Sequence, residues 1–300
     1  MHKHYAKPAW VNNAKGDVRC AGFELEFAGL DLQTAANAVA KAINGEVIKD
    51  TQAECRVRHP QFGDFKIELD WSFAKNMARK RLEEQGASED AVLELMTDLA
   101  RQIVPLEVVC PPVPVDQLQV LDGMVKALQQ AGALGTSDSL IYAFGVHINT
   151  ELPALDSKTL VPYLQAYCVS QYWLMKAHDV DTLRRLTPYI DTYPKKYIQE
   201  VMTYTADTPL QQIIDDYLEY NPTRNRGMDL LPLFKQIDEA RVLAAVQDER
   251  VNARPTFHYR LPNCEIEKPQ WELSRSWNIW CVVEHLAADP VTLKSMCEQW

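Results

Sequence analysis

The chain has 300 residues, 47% of them apolar and 24% charged, an ordinary globular composition with ample material for a core. Its formal net charge of −10 argues against broad binding to nucleic acid or to an anionic membrane, while leaving room for a local cationic pocket. Seven cysteines without a Cys-x-x-Cys pair, an N-terminus without an apolar leader and the lack of a long apolar run lead to the expectation of a soluble, cytoplasmic protein with reduced thiols.

The first strand is predicted over 18–28. Within it, GFELEF at 22–27 sets Glu24 and Glu26 on one face and Phe23, Leu25 and Phe27 on the other. Two carboxylates about 6–7 Å apart repel by about 2–3 kcal/mol at an effective dielectric near 20, so this face is either fully solvated or meets positive charge. A helix is predicted over 31–44, with Ala36, Val39, Ala40 and Ile43 inward and Gly45 as its stop. GEVIKD reads as a short strand, and Arg56, Arg58 and His59 as a loop that could receive a carboxylate substrate. FGDFKIELDW reads as a second main strand, with Phe65, Ile67, Leu69 and Trp71 alternating against Lys66, Glu68 and Asp70.

Residues 74–85 read as a charged loop or short helix, and 88–103 as a helix capped by Ser88. PLEVVCPP is a compact strand carrying Glu107, 115–133 a long amphipathic helix, and LIYAFGVHINT a strand carrying His147 and Asn149. From 156 to about 248 the pattern is helical, with breaks at Pro188, Pro194 and NPTRNRG. RPTFHYRLP then reads as a fifth strand carrying His258 and Arg260, followed by a Trp-rich helix over 270–286. The aromatic stretch at 163–174 reads as core or as an interface between copies, so a homo-oligomer is compatible with it. His178 and His285 are expected on helix surfaces, and Cys110 as a packed thiol. With no repeat and no linker, one α+β domain over 1–300 is expected, with a helical insertion at about 150–250.

Only 11 glycines are present, and none builds a Gly-x-Gly-x-x-Gly or Walker A cradle; His-Glu-x-x-His and Gly-x-Ser-x-Gly are also missing. Chemistry must therefore come from elsewhere. The polar faces of the five strands offer Glu24, Glu26, Glu68, Asp70, Glu107, His147, Asn149, His258 and Arg260, while each opposite face is apolar. A solvated face is the ordinary explanation of such alternation. Acids, histidines and arginine on five strands with almost no threonine or lysine filler argue instead for a gathered ligand set, suited to Mg2+ or Mn2+.

GFELEFA, PLEVVCPP, FGVHINT, RNRGMDLLPL and FHYRLPN occur in an order that resembles the amidoligases, within the carboxylate–amine ligase group of glutamate–cysteine ligase and glutamine synthetase. The resemblance spans about 18–290. It implies a curved, antiparallel, glutamine-synthetase-like sheet with helices on one face, and an amide bond made from ATP, a carboxylate and an amine through an acyl phosphate. It implies that Glu24, Glu26, Glu107 and His147 are metal and ATP-phosphate ligands, with Glu68 or Asp70 a further acid of the same duty. Arg260 would steady phosphate during transfer beside the catalytic Glu24 and Glu26, and Arg226 with its neighbour Arg224 would meet nucleotide or substrate. ATP, Mg2+ or Mn2+, and a small-molecule or peptide carboxylate and amine are the implied ligands. Two departures stand out: His258 replaces the Glu of a Glu-Phe-Arg strand, and Asp229 replaces the Asn of Leu-Asn-Leu. A metal-dependent phosphohydrolase or phosphotransferase, and a non-catalytic nucleotide- or metabolite-binding relative, remain open alternatives.

Overall fold

The computed structural model describes residues 4–69, 105–136, 144–186 and 188–300. Asp70, Trp71, the elements expected over 74–85 and 88–103, and the start of the LIYAF strand lie outside the described residues. Strand β1 spans Cys20–Phe27 and alternates as the sequence predicts, with Phe23, Leu25 and Phe27 wholly buried. Helix α1 (Leu32–Ile43) starts at Asp31, whose carboxylate accepts the Thr34 N–H at 2.8 Å. Its left-handed stop is Asn44 (φ 53°), not Gly45. Gly45 serves a different need: a Cβ there would lie 2.7 Å from Val57 and 2.9 Å from the Arg58 carbonyl.

Strands β2 (Glu46–Lys49), β3 (Glu54–His59) and β4 (Gly63–Leu69) form an antiparallel meander. Arg56 and Arg58 thus lie on a strand rather than in a receiving loop. Both bind Asp64, at 2.9 Å each, and Arg56 also binds Asp50 at 2.7 Å. Strand β5 (Leu106–Val109) follows, then β6 (Val113–Pro114), and α2 (Val120–Ala131), shorter than expected because Val113–Pro114 pairs with β1. Strand β7 (Val146–Thr150) leads into the long α3 (Ser157–Ala177), capped by Asp156.

The helical stretch then runs through α4 (Thr182–Leu186), α5 (Lys195–Thr203) and α6 (Leu210–Tyr220). It is interrupted by a two-residue strand, β8 (Met228–Asp229), which the sequence did not suggest. After α7 (Leu231–Ile237) and α8 (Glu239–Ala245), β9 (His258–Tyr259) pairs with both β7 and β8. Helices α9 (Leu273–Ala287) and α10 (Pro290–Gln299) complete the chain.

The fold is α+β, built on an open antiparallel sheet in the order β2-β3-β4-β5-β1-β7-β9-β8, with β6 paired to β1 beside this path. Its apolar face carries the core. Trp277 and Trp280 of α9 pack against Phe23, Phe257 and Tyr259, and Tyr163 of α3 packs against Phe257 at 5.0 Å between ring centroids. Each such side chain, fully buried, contributes about 1.5–3 kcal/mol. His178, expected on a surface, is buried here, with its Nε2 2.7 Å from the Tyr259 hydroxyl. Among the described residues, no helix is long and apolar enough to cross a membrane.

Candidate active site

The register aligns the polar residues in rows across the sheet. One row reads Glu54, Glu68, Glu107, Glu26, each directly opposite the next on β3, β4, β5 and β1. The adjacent row reads Lys66, Val109, Glu24, His147. The pairing of Ile148 with Tyr259 brings His258 and Arg260 alongside, and Asp229 lies opposite His258. Like charges facing each other across strands are destabilising. Lys66 answers part of this row, with its Nζ 2.8 Å from Glu68 and 3.5 Å from Glu54.

Glu24 is the hub. Its Oε1 accepts the Asn149 amide at 2.9 Å and lies 3.4 Å from the Arg254 guanidinium. Its Oε2 lies 2.7 Å from His147 Nδ1 and 3.7 Å from His258 Nε2. Burial alone would raise the Glu24 pKa, but the His147 hydrogen bond and the His258 and His147 imidazoles beside it hold it well below the usual carboxylate range. Glu26 is less enclosed. Its Oε2 accepts the Gly145 N–H at 2.7 Å, and its Oε1 lies 3.8 Å from His147 Nε2.

His258 is almost fully buried, and burial together with the Arg260 charge pushes its pKa down to about 4. Its Nδ1 lies 3.4 Å from Asp229 Oδ2, which is 3.7 Å from Arg260. Several buried atoms here make no hydrogen bond: both His258 ring nitrogens, Asp229 Oδ2, Asn149 Oδ1, Arg260 Nε and Arg254 Nε. Native interiors rarely leave so many polar atoms unmatched in one place, and a polar ligand, an ion or ordered water is what satisfies such a group.

Positive charge faces this acidic half. Arg224 sits near Arg260 and Asp229; burial and then Arg260 lower its pKa. Arg184 donates to the carbonyls of Arg260, Leu261 and Pro262 and lies beside Gly145, with burial bringing its pKa to about 10. Arg226 turns elsewhere: it donates to Asn221 at 2.7 Å and to the Tyr220 carbonyl, and lies 3.6 Å from Asp191.

Of the residues singled out in the sequence, Glu24, Glu26, Glu107, His147 and Arg260 are brought together, with Glu68 one strand further along the glutamate row. Arg254 and Arg184 were missed. Arg254 was recoverable, because it shares parity with Thr256, His258 and Arg260 in the run leading into β9. Arg184 lies in a short helix and leaves no comparable signal.

The antiparallel sheet thus gathers carboxylates, imidazoles and guanidinium groups on one face, the side-chain types of a polar catalytic site. The family model described as "Putative amidoligase enzyme" matches residues 17–282, and the chain therefore belongs to the amidoligase family and is a ligase in class. Comparison with curated proteins and with solved structures found no match.

The residues present fit a divalent cation. Two sets of three side chains place donor atoms within 4.8 Å of one another: Glu26, Glu107 and His147, and Glu24, His147 and His258. The first set is dominated by carboxylate oxygen, the donor type that hard divalent ions take. Beside these sets, Asp229 Oδ2, Asn149 Oδ1 and both His258 ring nitrogens have no hydrogen-bond partner within the protein.

Proposed function

We propose that this protein is an ATP-dependent carboxylate–amine ligase that forms an amide bond through an acyl phosphate. The observation that carries the reading is the meeting, on one sheet face, of the Glu68–Glu107–Glu26 row with the Arg224, Arg254 and Arg260 group. An amide cannot form spontaneously from a carboxylate in water, so activation by phosphate is needed first. A carboxylate oxygen of the substrate attacks the γ-phosphorus of ATP, and the bond to ADP breaks. The amine nitrogen then attacks the acyl carbon, inorganic phosphate departs, and the nitrogen proton is released.

A divalent ion held by Glu26, Glu107 and His147, magnesium or manganese, would offset phosphate charge when bound. The chain supplies the rest. Arg260 and Arg224 face the transferring phosphoryl group, where guanidinium charge is worth most as oxygen charge builds. Asp229 holds Arg260 from behind, and Asn149 and Arg254 fix Glu24. No protein nucleophile is required, which agrees with the burial of Cys55, Cys110, Cys168, Cys264 and Cys281. Burial raises the Cys110 thiol pKa, further reducing its reactivity.

The same reading takes the sheet as a variant of the curved glutamine-synthetase-like sheet, within one catalytic domain working in the cytoplasm. The substrates are a small-molecule or peptide carboxylate and a small amine. Incubation with ATP, magnesium, pooled amino acids and hydroxylamine should yield a hydroxamate by mass spectrometry, lost in Arg260→Ala and in Glu26→Gln. ATP hydrolysis without a hydroxamate would replace this reading with a phosphohydrolase. No ATP turnover at all would replace it with a binding protein.

A further inference from the structure

We propose that Tyr193 and Tyr217, two buried tyrosines of the helical half, are positioning residues that clamp strand β8 and, through Asp229, set the aim of Arg260. The clamp is read from hydrogen bonds alone, while its effect on turnover rests on the ligase reading.

Strand β8 is the last in the sheet order and only two residues long. Its inner edge pairs with β9, where the Arg260 N–H donates to the Gly227 carbonyl at 2.8 Å. In an antiparallel ladder the next residue turns its N–H and C=O to the opposite edge. Among the described residues no further strand lies there. Two phenols meet that edge instead. The Tyr193 hydroxyl donates to the Met228 carbonyl at 2.6 Å, and the Tyr217 oxygen accepts the Leu230 N–H at 3.0 Å. These bonds fall on the residues immediately before and after Asp229.

Asp229 is wholly buried. Its Oδ1 accepts the Leu231 N–H at 3.0 Å, and its Oδ2 lies 3.7 Å from the Arg260 guanidinium. Arg260 Nε is buried without a hydrogen-bond partner, and among the described residues Asp229 is the carboxylate that pairs with this arginine. A shift of the β8 backbone therefore passes through Asp229 to the guanidinium that faces the phosphoryl group.

The two tyrosines reach β8 from separate elements. Tyr193 precedes α5, and its N–H donates to the Gln171 side chain of α3 at 3.1 Å; Tyr217 lies on α6. Burial raises both phenol pKa values, so each hydroxyl stays neutral and acts through a hydrogen bond rather than by proton transfer. Tyr197 of α5 is the internal comparison. Its ring lies 5.1 Å from that of Tyr193 and 5.7 Å from that of Tyr217, yet its buried hydroxyl has no hydrogen-bond partner. Three rings share one cluster, and two of the hydroxyls hold β8.

The test is NMR on the full chain labelled with 15N-arginine and 15N-leucine, with the Arg260 Nε–H signal assigned by its loss in Arg260→Lys. In the unmutated chain the Leu230 amide should exchange at least a hundredfold more slowly than an open amide. Tyr217→Phe should speed that exchange tenfold or more. Both Tyr193→Phe and Tyr217→Phe should shift the Arg260 signal in the direction seen in Asp229→Asn. In hydroxamate formation each should lower kcat at least fivefold and leave KM for ATP within twofold, the mark of an interaction made in the transition state. Tyr197→Phe should match the unmutated chain throughout. Fast Leu230 exchange in the unmutated chain, an Arg260 signal unmoved in either clamp variant, full kcat in both, or an equal kcat loss in Tyr197→Phe would each overturn the proposal. A moved Arg260 signal in a chain that forms no hydroxamate would leave the clamp standing and remove the ligase reading.

Discussion

Arg19 and Glu284 form a bidentate pair, NH1 to Oε2 at 3.0 Å and NH2 to Oε1 at 2.9 Å, with both side chains wholly removed from solvent. Tyr163 and Trp280 also donate to Glu284, and Arg19 donates to the carbonyls of Trp10 and Glu151. The pair joins the segment ahead of β1 to helix α9. Glu284→Ala would strand a buried guanidinium and should cost about 3–5 kcal/mol, read as a lower urea midpoint at constant slope. The double variant Arg19→Met, Glu284→Leu should recover most of that loss, because two packed apolar side chains need no partner. A double variant as weak as the single one would show that the network to Tyr163 and Trp280 matters more than the charge.

Gly145→Ala tests how tightly the site is drawn. The added Cβ would lie 2.7 Å from the Arg184 guanidinium and 3.4 Å from Glu26 Oε2. Arg184 cannot swing aside cheaply, since it donates to three successive carbonyls. The expected cost is about 1–3 kcal/mol of overpacking. Ligase turnover should fall at least tenfold in protein that is still folded by circular dichroism. Full turnover would mean that Glu26 tolerates displacement.

His178 should make the fold sensitive to acid. Burial, then the charges of Arg184 and Arg275, pushes its pKa from the ordinary 6.5 to about 3. Between those values the unfolded chain holds a proton that the folded chain refuses, so stability falls as pH falls. The loss is about 1.4 kcal/mol per pH unit, starting near 6.5 and ending near 3. Replacing it with Gln should lower the slope of stability against pH by one proton across that window. Equal slopes in urea titrations from pH 6 to 4.5 would refute the assignment.

Arg254→Met removes the guanidinium beside Glu24 Oε1 while preserving most of the stem's packing. Turnover should drop about 10–100-fold, the range seen when a group that orients a metal-site ligand is lost. Arg254→Lys should restore part of it. If Met and wild type are equal in kcat/KM, Arg254 is only a surface cation.

The sequence revealed the acidic face because a strand exposes its period in about seven residues, and β1 and β4 are that long. It could not reveal the rows. That Glu26 faces Glu107, and that Glu107 faces Glu68, depends on register, which is set by packing between segments far apart in the chain. Strand β8 was invisible for another reason: two residues cannot display an alternation, so Asp229 stood out only as a departure from the Leu-Asn-Leu pattern and not as the neighbour of His258. His178 ends a helix whose aromatic stretch reads as core or interface, and the aromatic cluster around Tyr259 encloses that end as well. Asn44 took the left-handed position because an asparagine tolerates it and because Gly45 was already needed beneath Val57.

Strand β1 is the middle of the sheet but is made early, and one of its partners, β7, comes late: Glu24 and His147 are 123 positions apart. At ribosomal rates of about 5–20 residues per second, the strand waits on the order of ten seconds for that edge to arrive. A bare run of Phe, Leu and Phe would invite pairing with the same segment of another nascent chain. Glu24 and Glu26 set two negative charges on the exposed face of that run, where a second copy would have to bring two more. The acid pair thus guards the chain against self-association before it has any chemistry to perform, so neutralising it should first be noticed as insoluble protein.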